Sequence, residues 1–91
     1  MVELSDKTIE VAYEILRFIE KRKHSPSVVE VAKAVGMQRS SVYPHLSRLS
    51  EVGIISWLAG EVRTLQVNKP DFVKGEHAAR VKRIREDYIY G

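Results

Sequence analysis

The sequence predicts an α+β domain with a three-helix core, a two-stranded ribbon and a C-terminal helix. Three observations predict it. Apolar residues recur at spacings of three and four through residues 9–49, the pattern of helices with one buried stripe. After Gly53 the period shortens to that of strands, interrupted by a short turn. Past Pro70 helical spacing returns. A chain of 91 residues suits one domain and is too short for two.

The first helix carries Ile9, Ala12, Ile15, Leu16 and Ile19 on one face. Ser5 or Asp6 can cap its start, and Lys21, Arg22 and Lys23 suit the negative end of its dipole. His24-Ser25-Pro26 breaks the run, with room for a short extra strand near Pro26. The second helix opens with the capping box Ser27-Val28-Val29-Glu30 and stops at Gly36. Val28, Val31, Ala32 and Val35 form its apolar side.

The third helix begins near Gln38 and ends before Gly53. Val42, His45, Leu46 and Leu49 share one face, with Ser40, Pro44 and Ser47 roughly opposite. Pro44 cannot donate a backbone hydrogen bond to Ser40, so a bend is expected there. Ile54–Leu58 and Val62–Val67 read as two strands joined through Ala59-Gly60-Glu61. In the last segment His77, Val81, Ile84 and Tyr88 form a narrow seam of the width a partner helix uses, or one that folds back on the domain's own core. The organisation expected is a domain over 1–70 followed by a dimerisation helix over 71–91.

Charge points to the second half of the chain. Residues 1–36 hold six basic and six acidic side chains, residues 37–70 four and two, and residues 71–91 five and four. The formal net charge is +3, and no acidic residue occurs between Arg39 and Ser50. A basic excess there suits a polyanion. Cysteine is absent, which excludes disulfides and thiolate metal sites. No run has the length of a membrane span and the start lacks a signal-peptide pattern, so a cytoplasmic location and no membrane partner are expected. His24, His45 and His77 lie in separate elements without metal-ligand spacing. No phosphate-binding glycine loop, nucleophile–base pair or hydrolytic carboxylate pair is visible, so neither an enzyme nor a cofactor is expected.

The run from Glu30 to Ile55 resembles the helix-turn-helix core of winged helix-turn-helix transcriptional regulators, the ArsR, MarR and PadR types among them. Glu30 and Ala32 match the positioning helix, and Gly36-Met37 the turn. Ser41-Val42, Leu46 and Leu49 match the recognition helix, and Gly53-Ile54-Ile55 the entry to the wing. Tyr43-Pro44 is similar to a pair found in PadR-type regulators. The resemblance implies a sequence-preferring binder of double-stranded DNA with the third helix in the major groove. Gln38, Arg39, Ser40, Tyr43, Pro44 and Ser47 would face base edges or sugars, Arg39 reading guanine and Gln38 adenine. Ser41 and Arg48 would hold phosphates, with Arg63 and Lys69 on the backbone beside the groove. The wing tip Ala59-Gly60-Glu61 departs from the basic tips of many wings. The alternative is a winged-helix module for protein contacts, which an acidic or apolar third-helix face would favour.

His45 and Trp57 are expected to pack rather than bind a ligand. A seam of His77, Val81, Ile84 and Tyr88 is expected to form a two-fold dimer interface, the competing arrangement being docking onto the first helix. No sensor domain or metal cluster points to a small-molecule effector.

Overall fold

The computed structural model describes the backbone of residues 3–90 and the side chains of residues 3–84. Helix α1 spans Asp6–Arg22, α2 Val28–Val35 and α3 Arg39–Glu51. Strands β1 (Ile55–Ser56) and β2 (Gln66–Val67) follow, then α4 (Pro70–Tyr90). The α+β winged architecture expected from the sequence is therefore present.

Each helix boundary has a local cause. The Ser5 hydroxyl accepts the Thr8 N–H at 3.1 Å and starts α1. Lys23 closes α1 in the left-handed region at φ 64°, its N–H reaching the Ile19 carbonyl at 2.8 Å. At α2 both halves of the capping box form, Glu30 N–H to the Ser27 hydroxyl and Ser27 N–H to the Glu30 carboxylate. Gly36 ends α2 at φ 68°, a conformation that a side chain would strain. Pro44 does not interrupt α3, which continues to Glu51.

The strands are shorter than the sequence runs suggest. They pair antiparallel only at Ile55↔Val67 and Ser56↔Gln66. Beyond Ser56 a side chain replaces the ladder: the Thr64 hydroxyl accepts the Leu58 N–H at 2.9 Å. Arg63 turns the chain at φ 62°, which an alternating strand cannot accommodate. No strand forms near Pro26. Instead the Ser25 hydroxyl donates to the Leu65 carbonyl at 2.6 Å and ties the wing to the α1–α2 connection.

The core draws on every helix and the wing. Val11, Ile15, Val31, Val42, Leu46, Leu49, Ile55 and Leu65 are buried in one cluster. Burying a side chain of this size contributes about 1.5–3 kcal/mol each. Val73 of α4 is also fully buried there, so the start of α4 packs into the same core as residues 3–69. Above Val73, α4 lies on α1. The His77 ring stacks on Tyr13 with centroids 3.5 Å apart and planes 5° apart. Arg80 donates to the Leu4 carbonyl and the Asp6 carboxylate, both at 2.8 Å. Lys74 and Glu20 add an ion pair at 2.7 Å. His77 is thus engaged within its own chain, the arrangement that competes with pairing at this end of the seam. Val81 is half-buried, and Ile84 is 56% exposed. Tyr88 lies outside the described side chains.

Candidate nucleic-acid interface

Helix α3 is held from behind and open in front. Val42, Leu46 and Leu49 are fully buried. His45 is half-buried beside them, its Nδ1 2.8 Å from the Thr8 hydroxyl, which lies 2.8 Å from the Ser5 hydroxyl. A packed histidine was the expectation, and the α3–α1 bond gives it a role. Four core and hydrogen-bonding anchors along one face fix the rotation of the helix about its axis.

That rotation leaves Gln38, Arg39, Ser40, Ser41, Pro44, Ser47 and Arg48 exposed. The surface is polar and basic, and its first acidic residue is Glu51 at the far end. Arg48 and Glu51 approach at 3.7 Å with both side chains well exposed, a pairing that contributes little. At the other end Gln38 caps α3 with no side-chain bond. The Ser41 N–H is taken by the Gln38 carbonyl at 3.0 Å, and among the described residues no side chain accepts from the first turn of α3, where the dipole is positive.

Tyr43 differs from its neighbours. It is half-buried, its ring centroid 5.9 Å from that of Trp57 at 35°. Arg39 Nε donates to the Tyr43 hydroxyl at 3.2 Å. Trp57 accordingly packs against α3. Beside these three residues a cleft of about 200 Å³ separates the N-terminal turns of α2 and α3 from the wing, with Val29 and Val62 on its walls.

Arg63 is tied to the α1–α2 connection and the start of α2, although its side chain stays 45% exposed. Its guanidinium donates to the Glu30 carboxylate and to the Ser25 carbonyl, both at 2.9 Å, with His24 Nδ1 at 3.3 Å. Glu30 is held below the ordinary carboxylate range, first by the Ser27 backbone N–H and then by the Ser27 hydroxyl and Arg63. Nothing local in the sequence marks this pair, whose members lie 33 positions apart. Lys69 is exposed but lies beside Val52, Ile54 and Phe72, at the end of α3 opposite Arg39. The structure thus gathers the α3 residues on one face, sets Arg63 on the wall of the cleft that Arg39 and Tyr43 also line, and places Lys69 at the far end of α3. Among the described residues no three His, Asp or Glu side chains gather as a metal site. No described helix is long and apolar enough to cross a membrane.

Comparison with known proteins places these features in a lineage. Residues 1–64 match the family model described as the LexA DNA binding domain. The chain is 38% identical over 72 residues to a LexA repressor of Clostridium novyi (strain NT), covering 78% of this chain and 35% of that protein. It is 38% identical over 66 residues to a LexA repressor of Clostridium botulinum (strain Hall), covering 71% of this chain and 33% of that protein. A LexA repressor of Staphylococcus epidermidis is 41% identical over 56 residues, or 60% of this chain and 27% of its own length. The chain spans about a third of the length of the first two relatives. The match corrects the resemblance to the ArsR, MarR and PadR types. The residues behind that resemblance, such as Gly36, Leu46 and Leu49, build the helix-turn-helix core itself and do not separate its branches. The matched residues, 1–64, are those of a DNA-binding domain.

Proposed function

The chain belongs to the LexA DNA-binding domain family, and on that premise we propose that it is a sequence-preferring binder of double-stranded DNA that regulates transcription. Helix α3 enters the major groove with its N-terminal half leading. The single observation that carries this reading is the polar, acid-free outer face of α3 from Gln38 to Arg48, fixed in rotation by the buried Val42, Leu46 and Leu49. Arg39 reads guanine and Gln38 adenine, while Ser40, Pro44 and Ser47 lie against base edges and sugars. Ser41 and Arg48 hold phosphates, helped by the positive end of the α3 dipole, which no Gln38 side-chain bond caps. Tyr43 stands behind this face, and Arg63 serves the wing before it serves DNA. Lys69, at the far end of α3, reaches only flanking backbone.

Two copies would read two half-sites about one helical turn apart, roughly 34–36 Å. We assign the pairing to the outer half of α4, around the exposed Ile84, because its inner half is already docked on α1. Selection from a random duplex pool tests the function. A recurrent site should emerge, with a guanine whose preference disappears in Arg39→Ala. Recovery of no preferred sequence would reject the reading.

A further inference from the structure

Arg39 and Tyr43 stand one helical turn apart on α3, where side chains meet. The Arg39 Nε–H is taken by the Tyr43 hydroxyl at 3.2 Å, and its guanidinium carbon lies 5.9 Å from the ring centroid. The Tyr43 ring is itself half-buried and packed rather than open to solvent. Trp57, half-buried just past β1, lies 5.9 Å away between centroids. Its own backbone is steadied where Leu58 bonds Thr64. A ladder therefore runs from the wing through Tyr43 to the tip of α3.

The ladder matters because a free arginine has many rotamers, and ordering one at a contact reduces affinity. With Nε engaged, the two terminal nitrogens of Arg39 form the end-on fork that fits guanine O6 and N7. We infer that Tyr43 is a positioning residue for base readout, its hydroxyl and ring holding the Arg39 fork for one guanine, with Trp57 as the brace. The inference rests on the DNA-binding reading above. It adds that the packing of the wing helps set which base α3 prefers, although the wing tip lacks the basic residues that would contact DNA directly.

The test uses the full chain and two duplexes. One carries the selected site, and the other replaces the G·C pair read by Arg39 with A·T. Binding is followed by fluorescence anisotropy. Wild type should prefer the guanine duplex by about tenfold or more. Tyr43→Phe keeps the ring against Trp57 and removes only the hydroxyl, and should cut that preference by about three- to tenfold. Tyr43→Leu should lose at least as much. Trp57→Leu should shift preference in the same direction, by less. The ratio between duplexes is the decisive readout, because a merely structural role would weaken both alike. An unchanged ratio in Tyr43→Phe would overturn the positioning role and leave DNA binding standing. Wild-type protein that binds neither duplex would remove the DNA-binding reading and this inference with it.

Discussion

Glu30 serves two elements at once. Its carboxylate accepts the Ser27 N–H that starts α2 and the Arg63 guanidinium that pins the wing. Because those partners hold its carboxyl below the ordinary range, Glu30 makes a charge-dependent contribution to the fold that protonation removes. The contribution is full above the unfolded-state value and is lost as pH falls through the folded one. Glu30→Gln should therefore lower the urea midpoint at neutral pH, and the gap to wild type should close on acidification below the ordinary glutamate range. A constant gap across that range would mean that the charge is irrelevant. The capping half of this role is legible in the sequence, because Ser27 and Glu30 are three residues apart and the bond is local. The Arg63 half is not, because its partner is set by tertiary folding and by a backbone turn at φ 62°. Arg63 therefore reads in sequence only as a cation on the ribbon, while the structure adds its tie to Glu30 and leaves the side chain 45% exposed.

Pro44 shows the same division among elements. The start, stop and buried face of α3 follow from Gly36, Gly53 and the spacing of Val42, Leu46 and Leu49. Whether a proline at its sixth position breaks the helix depends on packing, and here three buried anchors carry the helix through. The cost stays in place, since the Ser40 carbonyl has no amide partner at Pro44. Pro44→Ala should raise stability by about 1–3 kcal/mol, less a few tenths for the freer unfolded chain. Differential scanning calorimetry would read this as a rise of several degrees for a domain of this size. A fall instead would assign the exposed ring a packing role that its position on the outer face does not suggest. The ribbon was legible as two strands and a turn, but not as two-residue strands, because Thr64 replaces the ladder with its hydroxyl.

At the scale of the whole molecule, an apolar stripe in sequence names no partner. Half of the α4 stripe is spent inside the chain, where Val73 enters the core and His77 lies on Tyr13. The helix is 21 residues long, roughly 31 Å, and the contact with α1 continues through Arg83 to Asp6, so only the turns beyond Arg83 extend past it. Sedimentation equilibrium at micromolar concentration should give about twice the 10.4 kDa chain mass, with Ile84→Glu shifting the protein toward one chain. A wild-type mass of one chain would refute the α4 pairing without touching the assignment of α3. That assignment is tested most directly by the salt dependence of binding to the selected duplex, measured side by side for wild type, Arg48→Ala and Arg39→Ala. Affinity should fall steeply with salt in wild type. Arg48→Ala should weaken all duplexes alike and reduce the salt slope by about one. Arg39→Ala should cost about 1–3 kcal/mol on the selected site and much less on random duplex. Affinity that ignores salt, or is equal in all three proteins, would contradict the placement of α3 against DNA.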